Sequence, residues 1–273
     1  MNSKNSFSHR RWYTVGLVLL AATGGLALTA WGGADDSRTG GSTTTAAPGG
    51  QPSASSDHKG GGPEKLLWMG DSIAEAQAPA LGAAMTAGGM EFKSVAAAGG
   101  GGVVGEIAAS TWESLPKELA SFKPDVVAYQ ITTFDWGTPE EQRAAYKRLA
   151  KTVNDADAEL VIVSAPPFKI DDFYKPYAAA IDTAPKSAKS VAGQHPDTVH
   201  FLDASPLWGT DSTAAKAQRS KDGIHSCQQG SAAFAQWFGK KLNALYPFTP
   251  AAADQWATGA WTAEKVYGKN GCS

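Results

Sequence analysis

The stretch Lys65-Leu66-Leu67-Trp68-Met69-Gly70-Asp71-Ser72-Ile73 predicts a buried strand, a tight turn and the start of a helix. The first five residues form a short, largely apolar run, which is typical of a strand covered on both faces of a parallel sheet. Gly70 allows a sharp turn of the backbone, and Asp71 can brace that turn by a local hydrogen bond. Ser72 is therefore expected at the carboxyl end of the first strand, beside the free amides of a helix N-terminus.

Further apolar runs follow, separated by segments with a helical period. The predicted strands are 65–69, 92–95, 125–131, 159–164 and 198–202. Such alternation of strands and helices implies right-handed crossovers and a five-stranded parallel sheet with helices on both faces. In a sheet of this kind the reactive side chains collect at the carboxyl ends of the strands.

Two segments show a clear amphipathic period. Residues 140–156 place small and aliphatic side chains on one face, and residues 231–246 place larger ones there. The apolar faces consist of Ala145, Leu149, Val153 and Ala156 in the first segment, and of Phe234, Trp237, Phe238, Leu242 and Leu245 in the second. The residues after Pro247 lack a period and are expected to wrap around the domain.

Composition narrows the class of protein. A chain of 273 residues that is 42% hydrophobic can form one substantial core with extensions. The formal net charge of -2 and the absence of Lys/Arg blocks exclude nucleic acid as an expected partner and favour neutral ligands.

The N-terminal region is expected to lie outside the fold. Residues 1–34 combine a basic start with an uncharged, largely apolar run, which is typical of a signal peptide but also long enough for an uncleaved anchor. Residues 35–63 are rich in Gly, Ser, Thr and Pro and predict a disordered linker. The folded domain is expected at 64–273, and the protein is expected to be exported, either secreted or associated with the cell envelope. Membrane contact would then come only through an uncleaved N-terminal segment.

Two cysteines follow the export segment, Cys227 and Cys272. An oxidising compartment would allow them to pair, and the bridge would tie the C-terminus to the residues just after His225. Two reduced, buried thiols are the alternative.

A second motif, Asp222-Gly223-Ile224-His225, lies in a polar loop before the last amphipathic helix. A serine hydroxyl needs an imidazole to take its proton and a carboxylate to orient that imidazole. The glycine between Asp222 and His225 allows a turn that brings the two side chains together. Each motif alone is weak, since Asp and Ser are also common helix caps.

Together the two motifs resemble those of the SGNH, or GDSL, hydrolase family. The resemblance covers about 64–246 and implies a three-layer, flavodoxin-like α/β fold. It also implies that Ser72 is the nucleophile, His225 the general base and then acid, and Asp222 the orienting carboxylate.

The other family motifs are matched less well. The glycine that helps to bind the oxyanion corresponds best to Gly101, which would act with the amide of Ser72. In the family's Gly-x-Asn-Asp motif, however, Phe134 stands at the Asn position and cannot donate its hydrogen bond. Three residues could substitute for that donor, Gln130, Thr132 and Thr133, or the site could use backbone amides alone. Asp135 would then structure the loop.

The function expected from this resemblance is hydrolysis or transfer of short acyl groups, with O-acetyl groups on polysaccharide as the favoured substrate. The alternative is a non-catalytic glycan-binding protein on the same scaffold, and a tethered structural protein ranks lowest. No metal or organic cofactor is required, and a monomer is expected. Four aromatic residues after the predicted strands could stack on sugars or could belong to the core: Trp136, Phe168, Tyr174 and Trp208.

Overall fold

The computed structural model describes residues 61–272, so the predicted export segment and most of the predicted linker lie outside the described residues. Five strands form one parallel sheet in the order β2-β1-β3-β4-β5. Their bounds are Lys65–Met69 (β1), Glu91–Ser94 (β2), Val126–Gln130 (β3), Glu159–Val163 (β4) and Val199–Leu202 (β5). The predicted five-stranded parallel sheet is confirmed.

Seven α-helices accompany the strands in this part of the chain. They are Ser72–Ala87 (α1), Ala109–Phe122 (α2), Pro139–Asn154 (α3), Ala178–Ala192 (α4), Ser205–Trp208 (α5), Gln228–Leu245 (α6) and Lys265–Lys269 (α7). A capping box of Thr138 and Glu141 starts α3. Because α3 ends at Asn154, Ala156 lies beyond the helix to which its spacing assigned it, while Tyr146 joins the buried face.

The side chains of alternate strand residues form two separate cores. Leu67, Val127 and Ile162 pack against α2, α3 and α4 on one face. Trp68, Ala128 and Val161 pack against α1 and α6 on the other. The result is a three-layer α/β fold, as the sequence predicts.

Burial differs between central and edge strands. Every residue of β3 is buried, whereas all four residues of β2 are exposed or only partly covered. The strand β2 has a neighbour on one side only, since it pairs with β1 alone. Both faces are therefore covered in the middle of the sheet but not at this edge.

The segment after α6 wraps across α1 and is fixed by a covalent bond. Cys227 and Cys272 form a disulfide with an Sγ–Sγ distance of 2.06 Å, which confirms the predicted pairing. Trp256 and Tyr267 of this segment are buried. None of the helices in 61–272 is long and apolar enough to cross a membrane.

Replacing both cysteines by serine should lower the free energy of unfolding by about 2–4 kcal/mol, because the bridge closes a long loop in the unfolded chain. Its two cysteines are 45 residues apart. Guanidinium unfolding of the oxidised protein and of the double variant measures the difference. Equal stabilities, or two free thiols in the native protein, would contradict this expectation.

Candidate active site

Ser72 stands at the first position of α1, two residues after the turn glycine that follows β1. The preceding Asp71 is the helix N-cap, and its side chain accepts a 2.9 Å hydrogen bond from the amide of Ile73. As the first helical residue, Ser72 has no acceptor for its own amide within the helix. The hydroxyl and a free amide therefore lie together at the carboxyl edge of the sheet.

The His225 ring connects the two motifs. Its Nε2 lies 2.8 Å from Ser72 Oγ, and its Nδ1 lies 2.7 Å from Asp222 Oδ2. The three side chains thus form a continuous hydrogen-bonded series of hydroxyl, imidazole and carboxylate. This is the arrangement needed for an imidazole to accept a serine proton while a carboxylate stabilises the resulting charge.

Asp222 is held by more than the imidazole. Its Oδ1 accepts hydrogen bonds from Ser220 Oγ at 2.6 Å and from the amides of Ile224 and His225 at 2.7 and 3.0 Å. Partial burial by itself raises the pKa of Asp222, but these bonds and the one to the His225 ring outweigh it and lower the pKa to about 2. The carboxylate is consequently ionised at neutral pH.

The lowered pKa of Asp222 should make its contribution to stability depend on acid pH. Since the folded pKa lies below the unfolded value, the contribution is present above pH ~4 and is lost as the pH falls through about 2. The stability difference between the wild type and Asp222→Asn should therefore be constant near neutrality and shrink below pH ~4. Urea unfolding as a function of pH measures it, and a difference that grows on acidification would contradict the assignment.

Arg219 holds the loop that carries His225, a role that sequence reasoning missed. Its guanidinium donates to the Ile224 carbonyl and to Ser226 Oγ, both at 2.8 Å, on either side of His225. Burial lowers the pKa of Arg219 to about 10, which leaves it charged at neutral pH. Its main partners are backbone and hydroxyl oxygens, so no recognisable sequence pattern signals this contact.

Gly101 lies against the turn that precedes Ser72. A Cβ at this position would come 1.9 Å from the carbonyl oxygen of Gly70, and the φ angle of Gly101 is 77°. Both facts require glycine here. The glycine segment after β2, residues 99–102, therefore contacts Gly70, which is two residues before the proposed nucleophile.

The three residues considered as substitutes for the missing Asn all use their side chains elsewhere. Gln130 Nε2 donates to Gln77 Oε1 at 2.8 Å in the protein interior. Thr132 Oγ1 bonds to Asp135 Oδ1 at 3.1 Å, and Thr133 Oγ1 donates to Asp71 Oδ2 at 2.9 Å. Phe134 itself is half-buried, with its ring 5.4 Å from that of Trp136. Backbone amides are therefore the donors that this geometry leaves for an oxyanion.

Comparison with known proteins adds a fold assignment. No family model and no curated protein matches the sequence. Among solved structures, the chain is similar to a GDSL-like lipase from Bacteroides thetaiotaomicron, with a TM-score of 0.52 and 13% identity over 67% of this chain and 89% of that one. The lipase/acylhydrolase from Enterococcus faecalis gives a TM-score of 0.51 and 16% identity over 70% and 100% of the two chains. A mutant acetyl esterase gives 0.52 and 17% over 66% and 97%.

The chain has the SGNH/GDSL hydrolase fold. At these identities the likeness concerns the fold alone. Within this SGNH fold, Ser72, His225 and Asp222 lie at the carboxyl edge of the sheet, after the first and the last strands.

A second carboxylate, Asp135, connects β3, α3 and the residue after the glycine segment. It accepts hydrogen bonds from Tyr129 Oη at 2.7 Å, from Tyr146 Oη at 3.0 Å and from the Val103 amide at 3.2 Å. Burial raises the pKa of Asp135 and those of Tyr129 and Tyr146. Because Val103 follows the glycine segment directly, Asp135 fixes the position of Gly101 relative to β3.

Asp135→Asn should reduce kcat with little change in KM, because the glycine segment loses an anionic acceptor that positions it. Turnover of p-nitrophenyl acetate measures the effect, and Tyr146→Phe, which removes one donor but keeps the carboxylate, is the matched control. The variant should also be less stable by about 1–3 kcal/mol, because buried hydroxyl and amide donors lose their ionised acceptor. An Asn variant that is as active as the control would show that Asp135 does not act through the glycine segment.

The four aromatic residues that could stack on sugars or belong to the core divide into two groups. Trp208 is fully buried in the core that includes α6. Phe168, Tyr174 and Trp136 instead form a small cluster with Ile73 and Ile224, the neighbours of Ser72 and His225 in the sequence. Phe173, which the sequence reasoning did not single out, is 57% exposed beside this cluster, with its ring 5.8 Å from that of Trp136.

Within 61–272, no three His, Cys, Asp or Glu side chains are grouped so that they could hold a metal ion.

Proposed function

We propose that the protein is a serine hydrolase that cleaves carboxylic esters through an acyl-enzyme. The observation that carries this proposal is the series Ser72 Oγ, His225 Nε2 and Nδ1, and Asp222 Oδ2, with contacts of 2.8 and 2.7 Å. The fold is that of hydrolases, and the SGNH-fold structures it resembles include an acetyl esterase and GDSL-like lipases.

In the first step Ser72 Oγ attacks the ester carbonyl carbon while its proton passes to His225 Nε2. The carbonyl oxygen becomes an oxyanion, stabilised by the amides of Ser72 and Gly101, each worth about 2.7–4 kcal/mol when well placed. The C–O bond to the alcohol then breaks, and His225 returns the proton to the leaving oxygen. Asp222 stays ionised and stabilises the imidazolium.

In the second step water or a sugar hydroxyl gives its proton to His225 and attacks the acyl carbon; the bond from this carbon to Ser72 Oγ then breaks, and His225 returns the proton to Ser72 Oγ. Water yields the free acid and restores Ser72, whereas a sugar hydroxyl yields a new ester. The substrate that we favour is a short acyl group, in particular O-acetyl on a polysaccharide. The exposed ring of Phe173, beside the aromatic cluster, supports this choice, because a ring face suits the apolar faces of sugars.

We also propose that the protein acts outside the cytoplasm as a monomer. A signal-like N-terminus and a linker rich in Gly, Ser and Thr support export. The disulfide near the active site fits an oxidising compartment.

A second candidate is a glycan-binding protein that has lost efficient chemistry. Phe134 favours it, since this residue replaces the side-chain donor expected in the oxyanion site. The intact contact between Ser72 and His225 favours the esterase.

The purified protein should hydrolyse p-nitrophenyl acetate, and Ser72→Ala should reduce kcat by a factor on the order of 10⁴ or more. His225→Ala should be comparably damaging, while Asp222→Ala should leave more residual activity. Reaction with a fluorophosphonate probe, followed by mass spectrometry, locates the nucleophile. A wild type that neither turns over nor is labelled would favour the glycan-binding protein, and equal turnover of wild type and Ser72→Ala would refute the nucleophile.

A further inference from the structure

A groove of about 900 Å³ runs beside α1, outside the catalytic residues themselves. One wall is the outer face of α1, with Ala78, Pro79 and Ala83, and the opposite wall is the C-terminal segment from Gln255 to Lys269. The ring of Phe92, from the edge strand β2, forms the floor. It lies so close to Gly82 that a Cβ there would come 2.9 Å from the ring.

One end of the groove lies one helical turn from Ser72. Glu75 lines its end one helical turn after Ser72, so both residues belong to one stripe of α1. The opposite wall is tied to the residues just after His225 by the Cys227–Cys272 bridge. A 3.0 Å hydrogen bond from Gln228 Nε2 to the Thr262 carbonyl adds a second tie. One wall therefore belongs to the helix that begins with Ser72, and the other is bonded to the residues just after His225.

The lining combines small apolar side chains and ring faces with hydrogen-bonding groups. Phe92 and Trp261 supply partly exposed aromatic surface, and Gln255, Thr258 and Ser94 supply neutral polar groups along the same walls. Pro79 has no N–H to donate to the carbonyl of Glu75, so this acceptor lacks its usual helical partner. An alkyl chain laid along the groove would strip water from these groups without replacing their hydrogen bonds.

The charges of the lining cancel. Two carboxylates, Glu75 and Glu264, face two ammonium groups, Lys265 and Lys269. A groove without net charge attracts neither a polyanion nor a polycation. Aromatic faces, neutral polar groups and balanced charge together suit a neutral sugar chain.

We propose that this groove binds a neutral glycan chain and holds it along α1, with an ester-bearing residue presented at Ser72. From Glu75 to Ala87 the helix rises by about 18 Å, enough for several sugar rings in a row. The inference rests on the proposed function only for the ester at Ser72. It assigns the recognition of the chain to a surface that takes no part in the chemistry.

Calorimetric titration of full-length Ser72→Ala with cellohexaose, xylohexaose and the hexamer of N-acetylglucosamine tests the groove without turnover. At least one hexasaccharide should bind. Adding Ala83→Arg, which fills the groove, should weaken binding at least about tenfold, or about 1.4 kcal/mol. Ala144→Arg, at an exposed alanine of α3 on the other face of the sheet, should have no effect.

A second variant, Phe92→Ala, removes the ring on the floor of the groove and should also weaken binding. If Ala83→Arg lowers the melting temperature appreciably, the affinity of Phe92→Ala is the test of the groove. Binding of none of the three sugars would overturn the proposal. So would equal affinities of Ala83→Arg and the control, or binding of dodecanoate in the groove without binding of sugars.

Hydrolysis of p-nitrophenyl acetate separates this inference from the proposed function. Ala83→Arg in the wild-type background should leave it unchanged, since a small ester does not reach along α1. Sugar binding without ester hydrolysis by the wild type would refute the proposed esterase activity but support glycan binding in the groove. Hydrolysis without sugar binding would refute the groove alone.

Discussion

The candidate active site depends on one hydrogen bond between residues that are 153 positions apart, Ser72 Oγ and His225 Nε2. Neither side chain can perform acyl transfer alone, because a hydroxyl needs a base and an imidazole needs a nucleophile to activate. The contact exists because all five strands run parallel and their carboxyl ends share one edge. Ser72 follows the second strand in the sheet order, and His225 comes after the strand at the far edge.

Several devices keep the His225 loop in place across that distance. Asp222 accepts hydrogen bonds from two amides and a hydroxyl besides its contact with the imidazole, so it braces the turn as well as holding the ring of His225. Arg219 bonds to the residues on both sides of His225. The disulfide begins two residues later and fastens the C-terminal segment there. A loop with few apolar side chains is thus positioned by polar contacts and one covalent bond.

Two buried carboxylates perform the corresponding task on the nucleophile side. Asp71 joins the start of α1 to the loop after β3, because its carboxylate accepts hydrogen bonds from the amides of Ile73 and Thr133. Asp135 joins that loop to the glycine segment through Val103. Burial raises the pKa of both groups, and the hydrogen bonds from the surrounding donors oppose that shift. Because Phe134 stands where an amide side chain was expected, these contacts position the backbone amides that would stabilise an oxyanion in the proposed reaction.

The sequence by itself determined the layers of the fold and the two motifs that meet. Runs of apolar residues predict strands 65–69 and 159–164 because strands buried on both faces exclude polar side chains, and the turn Gly70-Asp71 predicts where Ser72 emerges. Only the tertiary structure decided what the other polar residues do. Gln130 and Thr133 are eligible donors by sequence, yet their partners, Gln77 and Asp71, come from a helix and a turn more than fifty positions away. The groove between α1 and the C-terminal segment is likewise invisible in the sequence, since its walls lie far apart along the chain and approach each other only when the wrap closes over the helix.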